Sequence, residues 1–264
     1  MLNVENIKKV FGKGTPNEKV ALENVTFKMN EGDFITIIGG NGAGKSTTLN
    51  AIAGVFMIDE GKIEIDGTDI TKLPEYKRSK YIGRVFQDPR MGTATNMTRE
   101  ENLSMALRRG QHRGLKRGIT NAEKSKLREY LEMLDLGLEN RMTTKTGLLS
   151  GGQRQAITLL MATMTKPRLL LLDEHTAALD PKTAQKVLEL TEKIIKDDKL
   201  TALMVTHNMR DALKLGNRLI MMNTGKVAVD VQAGEKEGLH VADLLKLFEK
   251  ASGGRSISDR MLLS

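Results

Sequence analysis

The sequence of 264 residues contains no cysteine and no tryptophan, and aromatic residues make up only 3% of it. Without cysteine the chain forms neither disulfide bonds nor thiolate metal sites, which fits a cytosolic protein. The scarcity of aromatic rings argues against a base-stacking platform, so we expect no nucleic-acid partner. No apolar run approaches the ~20 residues of a membrane-spanning helix, and the charged N-terminus does not resemble a signal peptide.

The chain is basic, with a net charge of +8, and its densest basic stretch runs from Arg108 to Arg117. A basic surface can bind nucleic acid, anionic lipid or an anionic ligand. Because no aromatic residue interrupts this stretch, we interpret it as a solvated surface near membrane headgroups or a polypeptide partner. The Gly- and Ser-containing end of the chain, from Ser252 to Ser264, is expected to be weakly ordered.

Apolar periodicity predicts two kinds of strand. Alternating residues indicate an antiparallel sheet with one solvated face at Leu2–Val10, Val20–Met29 and Lys62–Asp66. Runs that are apolar nearly throughout are typical of parallel strands buried on both faces, and they occupy Phe34–Ile38, Leu169–Leu172 and Ala202–Val205. Helical segments alternate with these runs at Lys45–Ala53, Gly151–Thr165 and Thr183–Asp197, which predicts a mainly parallel α/β core.

Between Asp88 and Leu149 the pattern becomes helical, and no strand is predicted there. Thr98 and Glu101 have the spacing of a capping box that opens one helix. A second helix is indicated by an apolar stripe formed by Leu127, Leu131, Leu134 and Leu138. Further along, Asn223-Thr224-Gly225 predicts a hairpin between Arg218–Met222 and Lys226–Asp230, and an amphipathic helix follows with Val241, Leu244, Leu245 and Phe248 on its apolar face.

A glycine-rich loop of the form G-x-x-x-x-G-K-S follows the buried run Phe34–Ile38 and opens a helix, as a P-loop does. Glycines let backbone N–H groups approach phosphate oxygens, and the helix N-terminus adds its positive end. Lys45 is expected to bridge the β- and γ-phosphates, and Ser46 to bind Mg²⁺. No guanine-reading Asn/Thr-Lys-x-Asp motif is present, which favours ATP. The predicted phosphate-binding residues are Gly39, Gly40, Asn41, Gly42, Ala43, Gly44, Lys45, Ser46 and Thr47.

Two carboxylates follow the leucine run Leu169–Leu172. The carboxyl end of a buried strand is where ligands bind in α/β proteins. Asp173 is therefore the expected Mg²⁺ ligand, directly or through water. Glu174 is the candidate general base that orients or deprotonates the attacking water.

The most specific motif is LSGGQ at Leu149–Gln153, about a hundred residues after the P-loop and just before the acidic strand. Gln87 in VFQDP, Asp180 in ALDP and His207 in MVTHN stand where one family has its Q-loop, D-loop and switch histidine. On these motifs the chain resembles the nucleotide-binding subunit of ABC transporters over nearly its whole length, and in particular the cassettes of bacterial importers.

The resemblance implies roles for individual residues. The implied catalytic residues are Glu174, His207, Gln87 and Lys45, and the implied metal ligands are Ser46, Gln87 and Asp173. Phe11 stands where the family has an aromatic ring that stacks on adenine. Besides the P-loop, the implied nucleotide contacts are Phe11, Val20, Ser150, Gly151, Gly152, Gln153 and Asp180.

The signature motif also has local physical chemistry of its own. Ser150 and Gln153 have the spacing of a capping box, and the two glycines between them expose the first amides of the helix as a second anion site. The resemblance implies that this site acts in trans, so that two copies pack head to tail and enclose ATP. The implied cofactors are ATP and Mg²⁺. The implied partners are a second copy, transmembrane permease subunits and a substrate-binding protein.

The expected fold class is α/β: a P-loop NTPase with a RecA-like, mainly parallel core, an N-terminal antiparallel β subdomain and an inserted α-helical subdomain. We assign residues 1–264 to a single ABC ATPase domain. Within it, 1–87 and 155–230 form the catalytic core with the β subdomain, 88–154 form the helical subdomain with the signature motif, and 231–264 form a C-terminal helix and tail.

One residue departs from the family pattern. After Glu174 most members have proline, whereas this chain has His175. We expect a looser turn there, with an ionisable ring beside the catalytic carboxylate. The segment DEHTAALDP resembles the same segment in cassettes of importers that work with amino-acid or aromatic amino-acid binding proteins.

The predicted function is ATP hydrolysis at the cytoplasmic face of the membrane, driving import of a small solute such as an amino acid. One alternative stays open: a soluble ABC-type ATPase that acts on a cytosolic assembly, for example an iron–sulfur scaffold. The helical insertion entered through VFQDP favours the membrane partner. A P-loop kinase is disfavoured by LSGGQ and by the water-orienting Glu174.

Overall fold

The computed structural model describes residues 1–111 and 118–252, which form two compact units. The first unit contains Met1–Tyr81 and the chain from Leu200 onward, and the second contains Ile82–Lys199. Most of the basic stretch Arg108–Arg117 and the predicted weakly ordered tail lie outside the described residues. In the described part of the chain, no helix is both long and apolar enough to cross a membrane.

The elements are numbered in chain order. The first unit begins with β1 (Leu2–Phe11), β2 (Lys19–Met29), β3 (Phe34–Gly39), α1 (Lys45–Ala53), β4 (Glu60–Ile65), β5 (Thr68–Asp69) and α2 (Glu75–Arg78). The second unit contains β6 (Ile82–Val85), α3 (Arg99–Leu107), α4 (Asn121–Glu132), α5 (Gly151–Thr163), β7 (Leu169–Asp173) and α6 (Pro181–Asp197), with 3-10 turns at Glu139–Arg141 and Thr146–Leu148. The first unit ends with β8 (Ala202–Val205), α7 (Met209–Lys214), β9 (Arg218–Asn223), β10 (Lys226–Val231), α8 (Ala233–Lys236) and α9 (Val241–Ser252).

The first unit contains the predicted antiparallel sheet, in the order β2-β1-β4-β5. A second sheet in this unit has the order β10-β9-β3-β8, with β3 parallel to both of its neighbours. Every residue of β3 is buried, as expected for a parallel strand covered on both faces. The predicted hairpin is formed by β9 and β10, where Thr224 and Gly225 both have positive φ. The predicted C-terminal helix is α9, which buries Leu244 and Phe248.

In the second unit, β6 pairs with β7 in parallel, and the helices pack around a cluster of buried apolar side chains. The predicted capping box of Thr98 and Glu101 is confirmed at the start of α3. The predicted leucine stripe is wrong in one respect, because α4 ends at Glu132. Its last two members, Leu134 and Leu138, follow the helix, yet they are buried in the same cluster. Left-handed turns at Asp135 and Gly137 fold the chain back after the helix, so burial continues without helical periodicity.

The structure contains elements that the periodicity did not predict. The strand β6 is only four residues long and contains Gly83 and Arg84, so no run of β-forming residues marks it. Short helices α2, α7 and α8 were also missed, since none is longer than two turns. The predicted division into 1–87 with 155–230, 88–154 and 231–264 follows the family resemblance and stays a prediction.

A buried arginine secures the C-terminal end of α1. Arg78 is 1% exposed, and its guanidinium donates hydrogen bonds to four backbone carbonyls, those of Ala51, Ile52, Thr71 and Leu73, at 2.7–2.9 Å. Helix termini leave carbonyl groups without partners within the helix. Gly54 ends α1 in a left-handed conformation, and a Cβ there would lie 2.6 Å from Arg78 Nε. The arginine therefore requires the glycine, and together they terminate the helix.

We expect Arg78→Met to lower the free energy of unfolding by about 3 kcal/mol, because several buried carbonyls lose their donor. Urea denaturation of the full chain measures the loss. The control is Lys77→Met, which removes an exposed cation from the neighbouring position. Equal stability of the two variants would contradict the role assigned to Arg78.

Candidate functional site

The P-loop leaves β3 and enters α1 in the first unit, and two of its glycines occupy positions that other residues do not fit. Gly39 has φ 154°, and a Cβ there would lie 2.3 Å from the carbonyl oxygen of Met222. Gly44 has φ 99°, and a Cβ would lie 3.0 Å from the carbonyl oxygen of Ala21. Both the backbone conformation and the lack of space therefore require glycine.

The helix α1 begins without a side-chain cap, since Gly44 has no side chain and the first turn contains no acidic residue. Its first amides therefore meet the loop as the positive end of the helix, an arrangement suited to phosphate. Lys45 is buried, and its Nζ donates to the carbonyl oxygens of Gly39 at 2.9 Å and Gly40 at 3.3 Å. Asn41 and Ser46 are exposed, whereas Thr47 is half-buried. The lysine thus lies folded along the loop whose ligand it is predicted to hold.

The tip of the β9–β10 hairpin braces this loop. Gly225 donates its amide to the carbonyl of Ala43 at 3.0 Å, and its own carbonyl accepts from the amide of Glu23 at 2.8 Å. A Cβ on Gly225 would lie 2.7 Å from the carbonyl oxygen of Ala21, so the tip must be glycine as well. The loop is therefore held by backbone contacts on both sides, which preorganises its amides.

The predicted adenine contacts Phe11 and Val20 lie at the facing ends of β1 and β2 and leave 40% and 47% of their surface exposed. The ring of Phe11 packs edge to face against Phe56, with the ring centroids 5.2 Å apart. Lys9 Nζ lies 5.6 Å from the centroids of both rings. Exposed apolar side chains beside a fixed second ring form a surface on which a base can stack. Phe56 was not singled out from the sequence, because it has no motif around it.

His207 lies in the same unit as the P-loop. It follows β8, which is parallel to β3, so the loop and the histidine leave the same edge of the sheet. Its side chain is exposed, and Asn208 next to it caps α7 through the amides of Arg210 and Asp211. The carboxyl edge of parallel strands is the usual ligand site of an α/β sheet.

The second unit brings Gln87 and Glu174 together. Gln87 Nε2 lies 3.4 Å from Glu174 Oε2, a long hydrogen bond between two side chains that the sequence assigns to the attacking water. Asp173 ends β7, and its Oδ2 lies 3.7 Å from the guanidinium of Arg84 on β6. Sequence reasoning missed Arg84, because its position depends on the pairing of β6 with β7. The arginine lies near the carboxylate that is predicted to hold the metal.

The signature motif has the predicted capping box. Ser150 Oγ accepts from the amide of Gln153 at 3.2 Å, and the Gln153 side chain accepts from the amide of Ser150 at 3.2 Å. Gly151 is exposed and Gly152 is buried. A Cβ on Gly152 would lie 2.0 Å from Cγ2 of Thr183 on α6, so the α5 helix approaches α6 closely at this point.

Asp180 caps α6, accepting a hydrogen bond from the amide of Thr183 at 3.1 Å, and Pro181 occupies the first helical position. The hydrogen bonds from Thr183 hold the pKa of Asp180 below its usual range. The helix therefore begins at Pro181, two residues earlier than predicted.

The expectation of an ionisable ring beside Glu174 is wrong. His175 is buried, and its Nε2 lies 3.1 Å from Thr191 Oγ1 on α6. Burial lowers the pKa of His175 to about 4, so the ring is neutral near neutral pH. In the turn itself, the amide of Ala177 donates to the carbonyl of Glu174 at 3.0 Å, and the expectation that the turn is looser than one with proline stays a prediction.

The predicted metal ligands are side chains of the kind that Mg²⁺ uses beside nucleotide phosphates. Within residues 1–111 and 118–252, no group of three or more His, Asp and Glu side chains is arranged to hold a metal ion. Mg²⁺ in nucleotide sites uses few protein ligands and completes its shell with phosphate oxygens and water. One hydroxyl from Ser46, one amide from Gln87 and one carboxylate from Asp173 are donors of that kind.

The chain is similar to known ATP-binding cassettes over most of its length. A family model described as ABC transporter matches residues 22–177. A tyrosine transport ATP-binding protein of Clostridioides difficile (strain R20291) is 46% identical, covering 95% of this chain and 100% of that protein. A methionine import ATP-binding protein of Corynebacterium glutamicum is 35% identical, covering 84% of this chain and 59% of that protein. The solved dimeric structure of the ATP-binding cassette MJ0796 with ADP and phosphate superposes with a TM-score of 0.75 at 32% identity, covering 88% of this chain and 99% of that chain.

We expect Lys45→Ala to weaken ATP binding by about 100-fold or more, because the P-loop loses its side-chain cation. Titration of the purified chain with ATP measures the dissociation constant. The control is Lys28→Ala, which removes an exposed lysine from the same unit. Unchanged affinity in Lys45→Ala would contradict the P-loop assignment.

Proposed function

Because this chain belongs to the ABC transporter family of ATP-binding subunits, we propose that it energises import of an amino acid, with tyrosine-like molecules as the substrate class. The family itself establishes an ABC-type ATPase coupled to transport. The substrate class rests on one observation: a tyrosine transport ATP-binding protein is 46% identical over 95% of this chain. Cargo is selected by the partner subunits, so this chain supplies the energy for transport.

In the proposed site, the first unit holds the nucleotide. The amides of the P-loop and of the first turn of α1 bind the phosphates, and Lys45 exchanges its bonds to the loop carbonyls for bonds to the β- and γ-phosphates. Phe11 stacks on adenine, with Val20 beside it. Ser46, Gln87 and Asp173 would hold Mg²⁺, which would neutralise charge on the phosphate oxygens.

Hydrolysis requires that water attack the γ-phosphorus as the bond to the β-phosphate oxygen breaks. We assign the orientation of this water to Glu174, which accepts its proton, and to Gln87, whose amide lies next to the carboxylate. His207 donates to the γ-phosphate from its exposed position after β8. The positions of these side chains at strand ends support the assignment.

The second anion site is proposed to act on the nucleotide of another copy. The capped start of α5 presents the amides of Gly151 and Gly152 and the hydroxyl of Ser150, with no lysine among them. Such a site recognises a phosphate that another P-loop already holds. Two copies then enclose ATP head to tail, and Asp180 is a further proposed contact of the enclosed nucleotide.

A groove of about 300 Å³ in the second unit is the proposed dock for the permease. Its lining includes Met91, Met105 and Met161, of which Met91 is 68% exposed. Methionine side chains adapt to the shape of an apolar partner. Met91 lies four residues after Gln87, at the entry to the helical insertion whose presence favours a membrane partner. We therefore assign the groove to a cytoplasmic segment of the permease, and we propose that the chain works at the cytoplasmic face of the membrane.

We expect Glu174→Gln to retain ATP binding and to accumulate an ATP-bound dimer, because the amide cannot accept the proton of the attacking water. Size-exclusion chromatography with light scattering measures the dimer. Affinity capture of the tagged variant from gently solubilised membranes with MgATP then identifies the partners. Glu192→Gln, an exposed carboxylate on α6, is the control.

Full turnover in Glu174→Gln would contradict its role as general base. Recovery of a membrane-spanning permease supports the transporter assignment. Recovery of a cytosolic scaffold protein in its place would favour the alternative, an ATPase that acts on a cytosolic assembly.

We expect Met91→Glu to abolish recovery of the permease while ATP hydrolysis by the isolated chain is retained, because docking of an apolar segment would bury the new carboxylate. The control is Met133→Glu, which places the same charge at a position 57% exposed in the same unit but outside the groove. If both variants recover the permease equally, the groove is not the dock.

A further inference from the structure

The side chain of His175 is fixed by a hydrogen bond whose direction can be assigned. Its Nε2 lies 3.1 Å from Thr191 Oγ1, and that hydroxyl donates its proton to the carbonyl of Val187 at 2.7 Å. Because a threonine hydroxyl has a single proton, Oγ1 can only accept from the ring. Nε2 therefore carries the ring proton. His175 and Thr191 are 1% and 0% exposed, so neither exchanges this bond for one with bulk water.

The residue before His175 has an unusual backbone conformation. Glu174 has φ 43°, in the left-handed region that residues other than glycine seldom occupy. This conformation costs ~1–3 kcal/mol and persists only where the surrounding structure holds it. On one side the chain is held by the pairing of β7 with β6, which extends to Leu172. On the other side the first side chain that enters the interior is that of His175.

The left-handed turn determines where the Glu174 carboxylate points. In this conformation Glu174 Oε2 lies 3.4 Å from Gln87 Nε2, while the carbonyl of Glu174 accepts from the amide of Ala177. Relaxation of residue 174 to a common backbone region would turn its side chain away from Gln87. A displacement of about 1 Å at a catalytic group can cost on the order of 100-fold in rate.

We propose that His175 is a positioning residue for ATP hydrolysis: the bond from its Nε2–H to Thr191 holds Glu174 in the left-handed conformation that directs its carboxylate at the attacking water. This inference rests on the proposed role of Glu174 as general base. The ring acts as a hydrogen-bond donor and not as an acid or base. Its low pKa, caused by burial, agrees with a neutral ring.

The hydrogen bond between His175 and Thr191 also connects two elements of the second unit. Thr191 lies on α6, the helix that Asp180 caps at its start. Helix α6 therefore begins directly after Asp180 and also contains Thr191, the hydrogen-bond partner of His175. The histidine links the end of β7 to the middle of that helix, where a proline in its place would have no side-chain donor.

The test compares variants that keep or remove the donor and the acceptor. We expect His175→Leu and Thr191→Val each to lower kcat for ATP about tenfold, with the KM for ATP changed by less than twofold. His175→Gln is the conservative variant, because its amide nitrogen can still donate to Thr191 Oγ1, and we expect it to retain kcat within about threefold. These magnitudes follow from misplacement of one catalytic group with binding intact.

Thr163→Val is the matched control for the threonine. Thr163 is buried in the same unit, and its hydroxyl donates to the carbonyl of Leu159 at 2.9 Å, as that of Thr191 does to Val187, but it accepts no histidine proton. A purely structural role predicts that both threonine variants lose thermal stability while kcat per folded molecule is unchanged. That result would overturn the proposal.

The double variant His175→Leu with Thr191→Val separates a shared function from independent damage. If both residues act through one bond, the double variant has the same kcat as either single variant. If they act independently, the fold-loss in kcat of the double variant is the product of the two single losses. If His175→Leu does not fold, Thr191→Val alone carries the test. Glu174→Gln is measured in parallel: full turnover there overturns the general-base assignment, whereas an inactive Glu174→Gln with normal kcat in Thr191→Val overturns only the anchor.

Discussion

The nucleotide site depends on how closely one backbone approaches another. The P-loop turns its amides towards a ligand only because Gly39 has no side chain to meet the carbonyl of Met222, which would lie 2.3 Å from a Cβ. The hairpin tip at Gly225 then fixes the other side of the loop through Ala43. The backbone conformation of Gly39, the lack of space beside it and the hydrogen bond from Gly225 therefore act together as one constraint on the loop. The roles proposed for the exposed ends of β1 and β2 and for the histidine after β8 depend on this loop being held in place.

In the second unit, one of the two side chains that we propose to orient the attacking water lies on a segment that also leads to the proposed permease dock. Gln155, fully buried on α5, donates to the carbonyl of Phe86, the residue before Gln87. Farther along the same segment, Gly92 approaches Thr158 so closely that a Cβ would lie 2.2 Å from its Cγ2. The segment that carries Gln87 is thus attached to the signature helix at two points. The methionine groove begins on the same segment.

Sequence reasoning succeeded where the determinant is local. The capping boxes at Thr98 and Ser150 involve contacts three residues apart, and the helix Lys45–Ala53 and the strand Ala202–Val205 have the predicted bounds. It failed where the determinant is distant in sequence. The strand β6 exists because β7 pairs with it, and the pairing of Arg84 with Asp173 requires that register. The burial of His175 depends on a threonine sixteen residues away.

The guanidinium at the end of α1 has an electrostatic consequence for the opposite end of that helix. An α-helix has a partial negative charge at its carbonyl end that reduces the positive potential at its amide end. The nine residues of α1 span about 14 Å, and an effective dielectric constant of about 20 leaves only a small interaction over this distance. Arg78 donates to the carbonyls of Ala51 and Ile52 and so offsets part of the negative potential at that end. The P-loop helix therefore meets phosphate with a positive end whose distant negative end is partly offset by a buried cation.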